Sequence, residues 1–199
     1  PTVVNRWRGS SPQSPADPEN YISRTTEADL KAVSDYVLQK YGYDTGSYTN
    51  FPGDESNRKI LARIDWNIAQ GHRLSLRYNQ TNNTAWNAPN GNSSDTGYRL
   101  NGTYRVGNYS MAFANNMYSM QNNVYSVSLD YNAKFSDRVS NQLLATFSNI
   151  EDIRGSNSTA FPHVDIIKQT ESGVWQPYMS LGYELFTWNN AVHNTIWNI

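Results

Sequence analysis

The fold class is decided by residues 61–80, which read L-A-R-I-D-W-N-I-A-Q-G-H-R-L-S-L-R-Y-N-Q. Apolar and polar side chains alternate with a period of two in Leu61–Ile68 and again in Arg73–Gln80, as they do in a strand with two different faces. Gly71 lies in the short link between the two runs. Two alternating runs joined by a glycine-containing link of about four residues predict a β-hairpin over 61–80.

A second hairpin is predicted over residues 124–150. Its first run alternates from Tyr125 to Phe135, residues 136–138 form the turn, and the return run ends at Ile150. Leu144 breaks the alternation of the return run, in which Leu143, Ala145 and Phe147 form the apolar side. A further strand is predicted to begin near Val192 and to occupy 192–199, so that the pattern gives about five antiparallel strands.

Before the first hairpin, residues 1–60 are predicted to be a long loop that carries one helix at about 26–41. Thr26 suits the N-cap position, and Gly42 suits the left-handed position that ends a helix. An apolar stripe recurs at helical spacing and consists of Leu30, Val33, Val37 and Tyr41.

The connections between the predicted strands alternate in length. The turns inside the hairpins are short, whereas the segments 81–123 and 151–191 are long loops of about forty residues, an unusual length within a compact soluble domain. Short turns on one side and long loops on the other are typical of outer-membrane β-barrels. The pattern therefore favours part of a transmembrane, antiparallel, up-and-down β-barrel of about five strands with long extracellular loops.

The two faces of the predicted strands differ in chemistry. In a membrane barrel the apolar face lies against lipid and the polar face lines the lumen. The lipid-facing candidates are Ile64, Trp66, Leu74, Leu76, Val127 and Leu129. The lumen-facing candidates are Arg63, Asp65, Arg73, Arg77, Asp130 and Lys134. In a soluble sandwich the same apolar face would pack inward, so a soluble all-β binding module, such as a carbohydrate-binding or adhesin-like domain, stays open as an alternative.

Composition restricts the function. The chain has 199 residues, 16 Lys and Arg, 17 Asp and Glu, and no cysteine. A net charge of −1 without a basic stripe argues against nucleic acid as a partner. No catalytic constellation and no metal-ligand spacing occurs, so we expect neither an enzyme nor a cofactor. The long loops instead present aromatic side chains among amides and hydroxyls as candidates for substrate contact, namely Trp86, Tyr98, Tyr104 and Trp175.

Several stretches resemble the barrels of TonB-dependent outer-membrane receptors. The nearest is the Oar-like subgroup, whose members carry an N-terminal carboxypeptidase-regulatory-like domain. The similar stretches include S-D-Y-V-L-Q-K-Y-G-Y-D-T-G-S-Y-T-N-F (34–51), L-A-R-I-D-W-N-I (61–68), H-R-L-S-L-R-Y-N (72–79) and S-N-Q-L-L-A-T-F-S-N-I-E-D-I-R-G-S (140–156).

The resemblance implies that the chain is an internal piece of a larger barrel of about 22 strands closed around a plug domain. It implies location in the outer membrane of a Gram-negative bacterium and uptake of a large nutrient such as a peptide, a glycan or a chelate. The implied partners are the lipid bilayer, the missing barrel strands and plug, and the TonB complex acting through the plug. A companion surface lipoprotein is a further partner that the resemblance allows. The TonB box and the plug are missing from this sequence, so no residue here can be assigned to TonB coupling.

Overall fold

A computed structural model describes residues 6–49, 53–89 and 105–199. These residues form mostly antiparallel β-sheet with one α-helix, as predicted. The elements in chain order are β1 (Arg8–Ser10), β2 (Ile22–Thr26), α1 (Glu27–Tyr41), β3 (Glu55–Ala69), β4 (His72–Asn87), β5 (Met111–Ala112), β6 (Tyr118–Lys134), β7 (Ser140–Gly155), β8 (Val164–Gln169), β9 (Trp175–Leu181) and β10 (Ala191–Asn198).

The chain divides into two compact units. The sheet unit comprises Ser56–Thr84, Met120–Ile153 and Ala191–Ile199. The mixed unit comprises the described parts of Pro1–Glu55, Ala85–Ser119 and Arg154–Asn190.

The sheet unit is one five-stranded sheet in the order β10-β7-β6-β4-β3. The backbone N–H of Lys134 donates to the carbonyl of Gly71, and the side chain of Asn82 reaches Asn123, so β4 and β6 run antiparallel. β7 and β10 are also antiparallel, with Phe147 opposite Trp197. Within the described residues the sheet does not close into a barrel, because β3 and β10 are its edges.

The turn between β3 and β4 depends on Gly71. Its φ angle is +77°, and a Cβ atom there would lie 2.9 Å from the backbone oxygen of Lys134. Only glycine takes this conformation without a steric cost while β6 approaches so closely. The same residue thus closes the β3–β4 hairpin and allows the neighbouring hairpin to lie against it.

The mixed unit has its own apolar core. Three sheet strands in the order β5-β9-β8 and the two-stranded parallel pair β1-β2 pack with α1. The buried core consists of Leu30, Val37, Tyr43, Met111, Phe113, Tyr178, Met179 and Leu181.

The predicted helix is confirmed, together with both of its caps. The Thr26 hydroxyl accepts a hydrogen bond from the N–H of Asp29 at 3.1 Å, and Gly42 ends the helix in the left-handed conformation. The predicted apolar stripe is only partly correct. Leu30 and Val37 are buried, but Tyr41 is 57% exposed because the stripe turns away from the core over the last turn.

Strands extend beyond the predicted hairpins. β3 starts at Glu55 rather than at residue 61, and β4 continues to Asn87 inside the segment 81–123 that was predicted as loop. β7 likewise continues to Gly155, inside 151–191, and these two segments also supply β5, β8 and β9. The extensions lack alternation because their side chains are polar on both faces, so a period-two pattern gives no signal there.

Candidate functional site

One side of the sheet unit, called the polar face here, carries an ion-pair cluster around Asp65. The Asp65 carboxylate accepts hydrogen bonds from Arg63 at 2.9 Å and from Arg73 at 3.2 Å. The hydroxyl of Ser75 also donates to it. Two of the predicted lumen-facing side chains, Arg63 and Arg73, therefore meet at the carboxylate of a third, Asp65, on the polar surface of two neighbouring strands.

The polar face continues onto β6 and β7. A cavity of about 240 Å³ is lined by Arg63, Ser75, Arg77, Ser128, Asp130 and Leu144. The structure thus brings Arg77 and Asp130 together with the cluster at Asp65. Leu144, which interrupts the alternation of β7, is an apolar residue on this face, as are Leu61 on β3 and Ile196 on β10. Lys134 differs, because its ammonium group pairs with Asp137 at 2.7 Å in the exposed β6–β7 turn.

The opposite side, called the apolar face here, is formed by the alternate residues of the same strands. The bond between Lys134 and Gly71 places Leu76 opposite Leu129 across the β4–β6 pair, in keeping with the contact between Asn82 and Asn123. The large side chains of this face are exposed, with Ile64 at 65%, Trp66 at 60% and Leu76 at 41%. The remaining members on these strands are Ile68, Leu74, Tyr78, Val127, Tyr131, Ala133, Leu143, Ala145 and Phe147, with Trp197 beside them on β10.

The apolar face has a limited length along the strands. On β4 it extends from His72 to Tyr78, which is about 20 Å at about 3.3 Å per residue. Beyond Tyr78 the same face becomes polar, and the Asn82 amide donates to Asn123 and to the Tyr125 hydroxyl, both at 2.8 Å. Aromatic rings lie at this border, where Phe147 and Trp197 have ring centroids 4.5 Å apart.

Two of the four predicted loop contacts, Trp86 and Trp175, lie within the described residues. Trp86 is half-buried near the end of β4, whereas Trp175 is 52% exposed at the start of β9. Neither ring stacks on another aromatic ring in the described part of the chain. Tyr98 and Tyr104 lie outside the described residues.

A buried polar network in the mixed unit was not found from the sequence. The Arg105 side chain is fully buried and donates to Asp165 through Nε at 2.9 Å and through Nη2 at 2.6 Å. The hydroxyl of Ser180 donates to the same carboxylate at 2.6 Å, and His163 Nε2 lies 3.2 Å from it. Asn116 extends the network, because its amide lies 3.0 Å from His163 Nδ1. The network joins the segments Ala85–Ser119 and Arg154–Asn190 of the mixed unit around one carboxylate.

Asp165 has a perturbed acidity. Burial alone would raise the pKa of its carboxyl group, but the hydrogen bonds from Arg105 and Ser180, together with the nearby His163, outweigh burial and hold that pKa well below its usual range. A carboxyl group with a lowered folded-state pKa stabilises the fold above its unfolded-state pKa, and this contribution is lost as the pH falls toward the folded-state value.

We therefore expect acid to remove the contribution of Asp165 to stability. The free-energy difference of unfolding between the protein and its Asp165→Asn variant should be largest near neutral pH and should shrink below about pH 4, the ordinary range of an aspartate. Urea titrations at several pH values measure this difference. Asp137→Asn, at an exposed carboxylate, is the matched control and should show no such convergence. A difference for Asp165→Asn that is independent of pH would contradict the expectation.

No helix among residues 6–49, 53–89 and 105–199 has both the length and the apolar character needed to cross a membrane. In the same residues, no cluster of three or more His, Asp and Glu side chains is arranged to hold a metal ion.

Comparisons with protein-family models, with curated proteins and with solved structures found no match for the chain. The resemblance to TonB-dependent receptors thus stays a prediction, and the function is argued from the two faces of the sheet.

Proposed function

We propose that the sheet unit is part of the wall of an outer-membrane β-barrel, with its apolar face against lipid and its polar face toward the lumen. The observation that carries the proposal is the exposed apolar face. It extends for about 20 Å along β4, or about 15 Å along the membrane normal at the usual strand tilt, which fits inside the apolar band of about 25 Å in such barrels, and aromatic rings and then amides follow at its border.

The polar face supports the same assignment. A carboxylate that accepts hydrogen bonds from two arginines and a serine is suited to a wet interior, whereas lipid would impose a large desolvation cost on these charges. Arg63, Asp65 and Arg73 would then contact water, or the plug domain that such barrels contain.

The edges of the sheet support a larger parent structure. β3 and β10 each have one side without a partner strand among the described residues. Long unpaired edges beside an exposed apolar face favour aggregation unless further strands cover them. We infer that the missing barrel strands pair with these edges.

Within this framework the protein takes part in TonB-dependent uptake of a large nutrient. The mixed unit, built from the connections between the hairpins, would supply the surface that contacts the nutrient. This receptor class requires a plug domain encoded upstream and more alternating strands downstream, so the flanking sequence of the parent gene tests the class directly.

The facing of the sheet can be tested with single cysteines, because the chain contains none. Nitroxide labels at Ile64→Cys and Arg63→Cys are compared in lipid vesicles. We expect the label at 64 to be relaxed by oxygen, which concentrates in lipid, and the label at 63 to be relaxed by a water-soluble nickel complex. The pair Leu129→Cys and Ser128→Cys provides a matched repeat on β6.

Two outcomes would contradict the proposal. One is the same environment for both labels of a pair. The other is a monomeric sample that melts cooperatively in plain buffer, which would favour the soluble all-β binding module, either carbohydrate-binding or adhesin-like.

A further inference from the structure

The mixed unit contains a cleft beside β1 that none of the functions above uses. Its volume of about 460 Å³ is within the range of small-ligand sites. The lining residues are Arg6, Arg8, Asn20, Tyr21, Glu27 and Thr49.

The cleft carries two arginines whose side chains have no partner among the described residues. Arg6 and Arg8 are exposed, and neither guanidinium group has an ion-pair or hydrogen-bond partner in the described part of the chain. The other charge in the lining is the single carboxylate of Glu27. By contrast, Arg24 and Arg105 in the same unit are engaged by backbone carbonyls and by a carboxylate, respectively. Two free guanidinium groups around one cleft attract an anion, and the planar group matches a carboxylate with two parallel hydrogen bonds.

The cleft also presents a strained tyrosine. Tyr21 has a φ angle of 57°, a left-handed conformation that suits glycine, and it ends the short 3-10 turn Pro18–Asn20. Its ring is 44% exposed and meets Trp7 edge-on at 5.5 Å between ring centroids. A bulky residue in this conformation costs free energy. Residues of this kind cluster at ligand sites, where the function of the side chain offsets that cost.

We propose that this cleft binds a carboxylate-bearing oligosaccharide, an inference that rests on the proposed function because it names the class of nutrient. Arg6 and Arg8 pair with the acidic groups of the ligand, and the ring of Tyr21 packs against the flat apolar face of a sugar. The Asn20 amide donates to Asp17 at 2.7 Å, which leaves its oxygen, with the hydroxyl of Thr49, to bond sugar hydroxyls. An extended peptide is less suited, because β1 has only three residues and offers too short an edge for strand addition.

The test is equilibrium binding to the full chain in detergent micelles, with a fluorescent oligogalacturonate as the probe. We expect the double variant Arg6→Gln/Arg8→Gln to weaken binding at least tenfold. Tyr21→Gly should also weaken binding several-fold although it relieves the backbone strain and should not lower the melting temperature. Glu27→Gln should strengthen binding. Arg138→Gln removes one positive charge from the exposed β6–β7 turn of the sheet unit and should change nothing.

Each of the following outcomes would overturn the inference. Equal binding of a neutral galactose oligomer would show that the arginines do not select acidic groups. Equal or tighter binding of an oligoglutamate would identify a peptide as the occupant. An equal loss in Arg138→Gln would reduce the effect to net charge. This test can fail separately from the proposed function. If the probe does not bind but the cysteine labels show the expected lipid exposure, only the cleft is rejected. If the probe binds but the labels do not show that exposure, only the barrel is rejected.

Discussion

Replacing Arg105 with methionine is expected to lower the free energy of unfolding of the mixed unit by about 3–5 kcal/mol. The Arg105 side chain is fully buried and gives two hydrogen bonds to Asp165, whose own side chain is 20% exposed. Methionine fills much of the same volume but leaves the carboxylate with only Ser180 and His163 as neighbours. A partly buried carboxylate without its cation still carries the free-energy cost of desolvation, but it no longer gains the attraction to the guanidinium group that offset this cost.

Hydrogen exchange of the β8 and β9 backbone amides measures this change, since both strands carry members of the network. Two controls separate the lost pairing from lost packing. The double variant Arg105→Met/Asp165→Leu removes both charges and should recover part of the stability, as buried pairs replaced by apolar residues do. Lys31→Gln breaks an exposed pair with Asp35 at the same unit's surface and should have hardly any effect. A loss for Arg105→Met no larger than for Lys31→Gln would contradict the assigned role.

The network shows why the mixed unit could not be predicted from the sequence. Arg105 and Asp165 are 60 positions apart, and neither lies in a motif or in an alternating run. By contrast, α1 was predictable because its signals are local, with the Thr26 cap and Gly42 adjacent to the helix itself. Contacts between distant segments leave no periodic pattern, so the segments 81–123 and 151–191 looked like long loops although they contain strands and part of a core.

The sheet shows the opposite case. Alternation in 61–68 and 73–80 predicted the hairpin and the two faces, and the hydrogen bonds around Asp65 confirm that Arg63, Asp65 and Arg73 share one face. The strand ends were missed because both faces become polar there. Short turns place β3 beside β4 and β6 beside β7, whereas long connections join the neighbours β4 and β6 and the neighbours β7 and β10. What the sequence alone could not decide is which environment the exposed apolar face meets.

The second prediction with a large expected effect concerns the surroundings of the apolar face. In the protein assembled in a lipid bilayer, Leu76→Arg is expected to lower the free energy of unfolding by about 2–4 kcal/mol. Leu76 lies midway between His72 and the amide border beyond Tyr78, so the arginine would enter near the middle of the apolar band, where lipid solvates a charge worst. The same substitution in a water-exposed sheet would cost little, because Leu76 is already 41% exposed. Urea unfolding from phospholipid vesicles measures the difference.

The matched control is Ser128→Arg, which places the same side chain on the polar face of β6. There the new guanidinium group lies in the cavity lined by Asp130, Arg63 and Arg77, where it meets water and charged groups of both signs rather than lipid. We therefore expect Ser128→Arg to leave the free energy of unfolding in vesicles nearly unchanged. In denaturant without detergent, where no bilayer is present, we expect the two variants to behave alike. Equal losses for the two variants in vesicles would mean that both faces meet the same surroundings. A larger loss for Ser128→Arg would mean that the polar face, not the apolar one, is the covered side of the sheet.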